Sequence, residues 1–366
     1  MLVAGIRCAV GVGLTHQPHV NVLVIIASAT TAVVRPVLRQ FLAGQANMKS
    51  VKQAVPTAYK VYFGPRSPSM AAQEEAERNF FGNIRLSNGT YKFTYGNRLD
   101  DFNALLWRWI PITDQLEVMD VGASSGASAL AWSESLTAHG IAHRMTVGDI
   151  HIHCTLVSLS KHLRVLVDDT GHPLQFDVLG AAVANPPSRR KWWWAIPFLT
   201  MLGLVAKVAS RHLARGTGPN TKRSFLMRFA SLQPILLMSP RLIDAAQVRI
   251  VEDDITRNQS LLGRFDVVRV ANLLNRDYFD DATLQNIIRN LRGRLRPGGL
   301  LAVCTTDSDI RSIHGRFVDV PAAQNHGTLF ILRDDDCLEA IDRIGNGSSV
   351  ESVVLGANDK PATMLV

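Results

Sequence analysis

Residues 116–132, LEVMDVGASSGASALAW, constrain this chain more than any other stretch. Val118, Met119 and Val121 form a short apolar run that predicts a buried strand. Gly122, Ala123, Ser124, Ser125 and Gly126 follow, five small residues that let the backbone turn sharply and let a ligand come close. Residues 127–132 read as the start of a helix. A strand, a small-residue loop and a helix N-terminus make a nucleotide-sized site, because the first N–H groups of a helix lack internal partners and point at what lies before them. Asp120 ends the strand two residues before the first glycine. A tight strand-to-helix turn that binds nothing is the bland alternative, and it stays open at this point.

Three ligand-binding patterns compete for the loop. The dehydrogenase fingerprint G-x-G-x-x-G needs a middle glycine that is absent here. The hydrolase elbow G-x-S-x-G fits Gly122-Ala123-Ser124-Ser125-Gly126 letter for letter, with Ser124 as nucleophile. That reading needs an acid and then a histidine downstream, and Asp307 with His326 stand in that order, although no HGGG-like oxyanion segment precedes the loop. The third pattern, two apolar residues, an acid, any residue, glycine, three residues and glycine, is met by VMDVGASSG.

The whole chain sets wider bounds. Its 366 residues allow one large domain with extensions or two small domains, and 47% hydrophobic with 19% charged residues describe a chain able to bury a large core. Cys8, Cys154, Cys304 and Cys337 are far apart and make no C-x-x-C pair, which speaks against a zinc site or a disulfide framework and fits a reducing, cytoplasmic compartment. No metal site is expected. The formal charge is +8, and the segment 188–228 alone holds nine Lys or Arg and no Asp or Glu. A basic patch so localised suits an anionic surface or substrate, and a general nucleic-acid coat is not expected.

Taken in order, residues 1–47 are apolar and acid-free, and their longest apolar run is too short to span a bilayer, which takes about 20 residues. A signal peptide ending near Ala27-Ser28-Ala29, an amphipathic or disordered extension, and a true start at Met48 all remain open. Residues 48–110 form an N-terminal cap, with a helix starting at Ser67-Pro68-Ser69 and a hairpin around Asn88-Gly89. After the loop and its helix, residues 143–147 predict a second strand that ends in Gly148-Asp149. A strand at 174–179 leads to Asn185-Pro186-Pro187-Ser188, read as a turn. The insertion 186–230 follows, with Trp192, Trp193 and Trp194 between basic clusters. Its stretch 189–215 reads as peripheral membrane contact or a hydrophobic lid, against the alternative of a helix packed on the sheet edge. Strands at 247–251, 265–270 and 300–304 come next, with a helix from Asp280 or Asp281 to Arg296. Further strands at 328–332 and 349–355 flank a helix over 335–344, and 357–366 is a tail. Strands and helices alternating at this spacing mean a parallel, doubly wound α/β sheet over 111–356.

VMDVGASSG, VGD at Asp149, VEDDIT at Asp254, FDVVRVANLLNRDYF and LRPGGLLAV occur in the order and approximate spacing of the motifs of class I S-adenosylmethionine-dependent methyltransferases, and the chain resembles that family from about residue 100 to 355, the insertion apart. The last two blocks also look like the corresponding part of the chemotaxis-receptor glutamate methyltransferases. The resemblance implies a Rossmann-like, doubly wound, mostly parallel seven-stranded sheet, carrying here an N-terminal helical and hairpin extension and a Trp-rich basic helical insertion. It implies S-adenosylmethionine as cofactor. The loop Gly122, Ala123, Ser124, Gly126 would lie under the methionine part, with Asp120 at its root, Asp149 on the ribose, Asp254 and Ile255 at the adenine, and Asn272 near the transferred methyl. Ser124 replaces the middle glycine of the commoner loop. Methyl transfer from a sulfonium is an in-line displacement, so the protein supplies orientation and, for a poor nucleophile, a base. Asn272 and Tyr278 are the catalytic candidates, with His151, His153 and His326 behind them. The acceptor is not legible, although the basic, Trp-rich insertion points to a hydrophobic or anionic one. A membrane-associated protein that keeps the fold without turnover is the non-enzymatic alternative.

Overall fold

The computed structural model describes residues 55–366 apart from 95, 108–109, 111–112, 188–194, 215–230, 258–260, 275–277, 307–326, 333–352 and 356–366. Three helices come first: α1 (Ala58–Phe63), α2 (Met70–Phe81) and α3 (Asp100–Leu106). Thr57 and Ser69 cap the first two, each accepting a backbone N–H three residues on. The Ser67-Pro68-Ser69 start is thus realised, while the hairpin at Asn88-Gly89 shrinks to a single bridge between Arg85 and Tyr91.

The chain then runs through β1 (Leu116–Val121), α4 (Ala127–Ala138) and β2 (His143–Asp149). It continues as β3 (His153–Ser160), β4 (Leu163–Asp168), β5 (Pro173–Val178), β6 (Ala181–Ala184), α5 (Ile196–Ala214), β7 (Ser231–Leu236) and α6 (Pro240–Ile243). It closes with β8 (Val248–Glu252), β9 (Phe265–Ala271), α7 (Asp281–Arg292), β10 (Leu295–Thr306), β11 (Gly327–Leu332) and β12 (Val353–Leu355). The main sheet has the order β12-β11-β10-β9-β1-β2-β8. Its five strands from β10 to β8 are parallel. The expected sheet of seven mostly parallel strands is therefore a five-stranded parallel sheet, to which β11 adds antiparallel and β12 parallel to β11. The helix expected over 335–344 lies outside the described residues.

A second sheet, antiparallel and ordered β6-β5-β4-β3-β7, was not foreseen. It enters between β2 and β8, so the insertion begins at His153 rather than at 186. One face, with Cys154, Leu156, Leu166 and Ile235, packs under Phe80 and Phe81 of α2. On the other face Phe176 approaches Gly203 of α5, where an added Cβ would stand 3.6 Å from its ring. The N-terminal segment thus covers this second sheet, and Glu77 fastens it further by accepting from Ser239 Oγ at 2.6 Å and Arg241 Nε at 3.2 Å.

The parallel sheet has its own two layers. Trp132, Leu130 and Leu136 of α4 pack with Val118, Met145 and Val147 on one face. Leu284, Ile287, Ile288 and Leu291 of α7 pack with Met119, Val268 and Leu301 on the other. Burying each such side chain is worth roughly 2 kcal/mol. Cover on the second face stops short of the edge. β2 and β8 carry Arg144, Thr146 and Arg249 there, beside a recess of about 590 Å³. Strands with one solvated face alternate in sequence, as HRMTVGD and VRIVE do.

Candidate functional site

β1 ends under a loop in which Gly122, Ser124 and Gly126 all take left-handed backbone, with φ of 66°, 57° and 81°. The glycines do so at no cost, whereas Ser124 is held there by its neighbours. The amides of Gly122 and Ala123 both donate to Gly148 O, at 2.9 and 3.2 Å. Gly126 N donates to Ala123 O at 2.8 Å. The end of β2 therefore grips the loop. A Cβ on Gly126 would meet Leu242 Cδ2 at 2.3 Å, and one on Gly122 would meet Leu273 Cδ2 at 2.6 Å, so beside the cost of the positive φ either substitution would make a leucine side chain turn away. Helix α4 starts at Gly126 without a side-chain cap.

Asp149, at the end of β2, joins strand and loop into one unit. Its Oδ2 accepts the Ser124 N–H at 2.8 Å, and its Oδ1 accepts from His151 N at 3.0 Å and from Lys92 Nζ at 2.7 Å. Lys92 Nζ also donates to Ser124 O at 3.1 Å. The lysine side chain is 2% exposed and the carboxylate 12%, so this is a buried ion pair set directly on the loop. Asp120 is neutralised too. Arg269 Nε donates to its Oδ1 at 2.8 Å, while the other guanidinium nitrogens donate to Asn103 Oδ1 at 2.6 Å and Ser128 O at 3.1 Å. The guanidinium lies 4.2 Å from the centre of the Trp132 ring. With Arg269 fully buried, β1, β9, α3 and α4 are tied at one point beneath the loop.

The remaining sequence candidates are scattered more widely. Asp254 caps its own turn, accepting from Thr256 N at 3.1 Å and Thr256 Oγ1 at 2.6 Å and pairing with Arg257 at 3.1 Å. Its neighbour Asp253 is the acid that turns inward, where Arg294 holds it by two bonds of 2.6 and 2.9 Å. Ile255 is buried in the core beside α7. Asn272, with φ 53°, bends the chain just past β9. Tyr278 is 57% exposed. His153 lies at the start of β3, 3.5 Å from Glu252, and His151 enters through its backbone amide alone. Asp307 and His326 lie outside the described residues. Ser124 Oγ is buried and has no hydrogen-bond partner, so no base stands against it among the described residues. Asn185 closes a turn as read, donating to Pro173 O at 2.6 Å.

The polar groups of the loop fit a cofactor with a nucleoside and an amino-acid end. The orphaned Ser124 hydroxyl, the uncapped start of α4 and one unused acceptor direction on Asp149 Oδ2 are all present. Free space is short in this arrangement. The cleft lined by Thr94, Arg98, Asp120, Gly122, Ser124 and Ser128 measures about 30 Å³, and Leu273 lies over Gly122. A cofactor needs more room than this, and Leu273, packed against Gly122, is a side chain whose turning would provide it.

Sequence reasoning missed Lys92, Arg269, Asp253 and Arg294. One signal was available for Arg269. A charge inside Phe265–Ala271, a strand buried over six of its seven residues, requires a buried partner.

No protein-family model and no curated protein matches the chain. Among solved structures it aligns with the PH0226 protein from Pyrococcus horikoshii OT3 at 12% identity and TM-score 0.27, over 58% of this chain and 57% of that one. It also aligns with phosphoethanolamine N-methyltransferase 2 of Haemonchus contortus, bound to S-adenosylhomocysteine, at 12% identity and TM-score 0.26, over 56% and 28%. The trans-methyltransferase CalH, likewise bound to S-adenosylhomocysteine, aligns at 15% and 0.26, over 57% and 36%. The chain thus spans between about a quarter and three-fifths of these structures. The likeness to chemotaxis-receptor methyltransferases finds no counterpart in them. TM-scores this low carry no weight for activity, which must be argued from the site.

Proposed function

We propose that the chain is an S-adenosylmethionine-dependent methyltransferase acting on a hydrophobic or anionic acceptor. The observation that carries this reading is the joint between Asp149 and Ser124, an acid at the end of β2 accepting a loop amide at 2.8 Å. It lies at the carboxyl end of β1, where connections turn from the β2 side of the sheet to the β9 side, the place where open α/β sheets bind ligands.

In this reading Gly122, Ala123, Ser124 and Gly126 hold the methionine part, and Ser124 Oγ gains the partner it lacks. Asp149 accepts a ribose hydroxyl on its remaining Oδ2 direction, and the turn of Asp254 and Ile255 borders the adenine. The cofactor supplies an electrophilic methyl on a sulfonium. Asp120, neutralised by Arg269, fixes the root of the loop and leaves no bare charge beneath it. Asn272, bent by its left-handed backbone, and exposed Tyr278 are the residues assigned to the acceptor side, where they would orient the nucleophile by hydrogen bonds while its proton passes to solvent. The lone buried hydroxyl of Ser124 gives no support to the hydrolase alternative.

Thermal unfolding in S-adenosylhomocysteine tests the proposal. At a hundred times the dissociation constant, binding adds about 2.7 kcal/mol and raises Tm. A folded protein whose Tm ignores the ligand at millimolar concentration, yet whose Ser124 is labelled by a fluorophosphonate, would refute it in favour of the hydrolase.

A further inference from the structure

Helix α5 is apolar over most of its surface from Ile196 to Ala209, with Thr200 and Lys207 as the polar residues there. Its inner face, with Phe198, Leu199, Leu202, Ala206 and Ala209, is buried. Its outer face repeats Pro197, Met201, Leu204, Val205 and Val208 at helical spacing, with Leu204 63% and Val208 38% exposed. An amphipathic surface helix would carry mainly polar residues there, and an outer face this apolar calls for cover. Beside Leu204 an apolar recess of about 270 Å³ opens between α5 and β5, walled by Pro173, Phe176, Pro187, Ile196 and Leu199, with Lys207 its one charged lining residue.

Charge and composition identify the cover. The segment 188–228, which contains α5, has nine Lys or Arg, no acid, and three consecutive tryptophans just before the helix. Basic residues and tryptophan on either side of an apolar helix in the sequence suit an anionic lipid interface, in which apolar side chains sit a few ångströms deep. No helix among the described residues is long and apolar enough to cross a membrane, so α5 would lie along the surface. At 19 residues it is about 28 Å long. We infer that α5 docks on a bilayer containing anionic phospholipid, its outer face in the interface, an acyl chain in the recess, and Lys207 extended to a headgroup phosphate. This surface is built from α5 and β5, and it stands whether or not the loop after β1 binds S-adenosylmethionine.

Sedimentation of the full chain with vesicles tests it. The wild type should partition onto phosphatidylcholine vesicles containing phosphatidylglycerol, more weakly as ionic strength rises, and far less onto phosphatidylcholine alone. The doubly substituted Leu204→Asp, Val208→Asp protein should lose about a hundredfold in partitioning. Both side chains are exposed, so circular dichroism and Tm should stay at wild-type values. Three results would overturn the inference: no binding to the anionic vesicles, equal binding by the folded double variant, or binding of a free fatty acid in the recess with no vesicle association.

Discussion

Replacing Lys92 with methionine removes the one cation that the described residues set against Asp149. The substitution keeps the unbranched apolar stem and loses only the terminal atom in length, so packing is little changed. What is lost is a 2.7 Å ion pair between groups 2% and 12% exposed, together with a bond to Ser124 O. Breaking a buried pair by removing one partner costs roughly 3–5 kcal/mol, because the other charge is left in low dielectric. Asp149 keeps two backbone donors, Ser124 N and His151 N, which places the expected cost near the lower end, at about 3 kcal/mol. Urea unfolding followed by circular dichroism reads this as a lower midpoint at unchanged slope. Adding Asp149→Asn should recover part of the loss, since a neutral amide needs no counter-charge while its nitrogen faces one of the two backbone donors. A cost below about 0.5 kcal/mol, or a double variant no more stable than the single one, would refute the buried-pair reasoning.

Gly126→Ala combines a left-handed φ of 81° with a Cβ only 2.3 Å from Leu242, and should destabilise by about 2–4 kcal/mol on the same assay. Wild-type stability would mean that the loop is not held as described. Burial pushes the Cys154 thiol and the Tyr62 phenol above their ordinary values. The unfolded chain ionises them near about pH 8.5 and 10, so above those values it binds fewer protons than the folded chain, and stability falls as pH rises. Cys154→Ala should flatten the decline between about pH 8 and 10, and an unchanged slope would count against a buried thiol.

The parallel strands were the most legible part of the fold. β1 and β9 are buried on both faces and so read as mostly apolar segments, broken only by Glu117 and Asp120 in the first and Asp266 and Arg269 in the second. The second sheet was missed for a physical reason. It too is buried on both faces, but by helices at 58–81 and 196–214 that nothing local to 153–184 announces. Its turns pass through Gly171 and Leu179-Gly180, all at positive φ, and turn residues do not say which strands pair. The site divides the same way. Gly122, Gly126 and Asp149 were readable because their chemistry is set within a few residues. Lys92 reaches Asp149 across 57 residues and Arg269 reaches Asp120 across 149, and no window of sequence encodes such meetings. Asp254 and Asp253 show the limit most sharply, since adjacent acids take opposite roles according to which side of the turn faces Arg294.

Asp149 and the loop at Ser124 are proposed to form one cofactor site. Calorimetric titration of S-adenosylmethionine and S-adenosylhomocysteine into the wild type and into Asp149→Ala tests it most directly. Saturable binding that weakens at least about tenfold in the variant, a loss of about 1.4 kcal/mol, is the predicted result. A well-folded wild type that binds neither compound, or a variant that binds both as tightly, would contradict it.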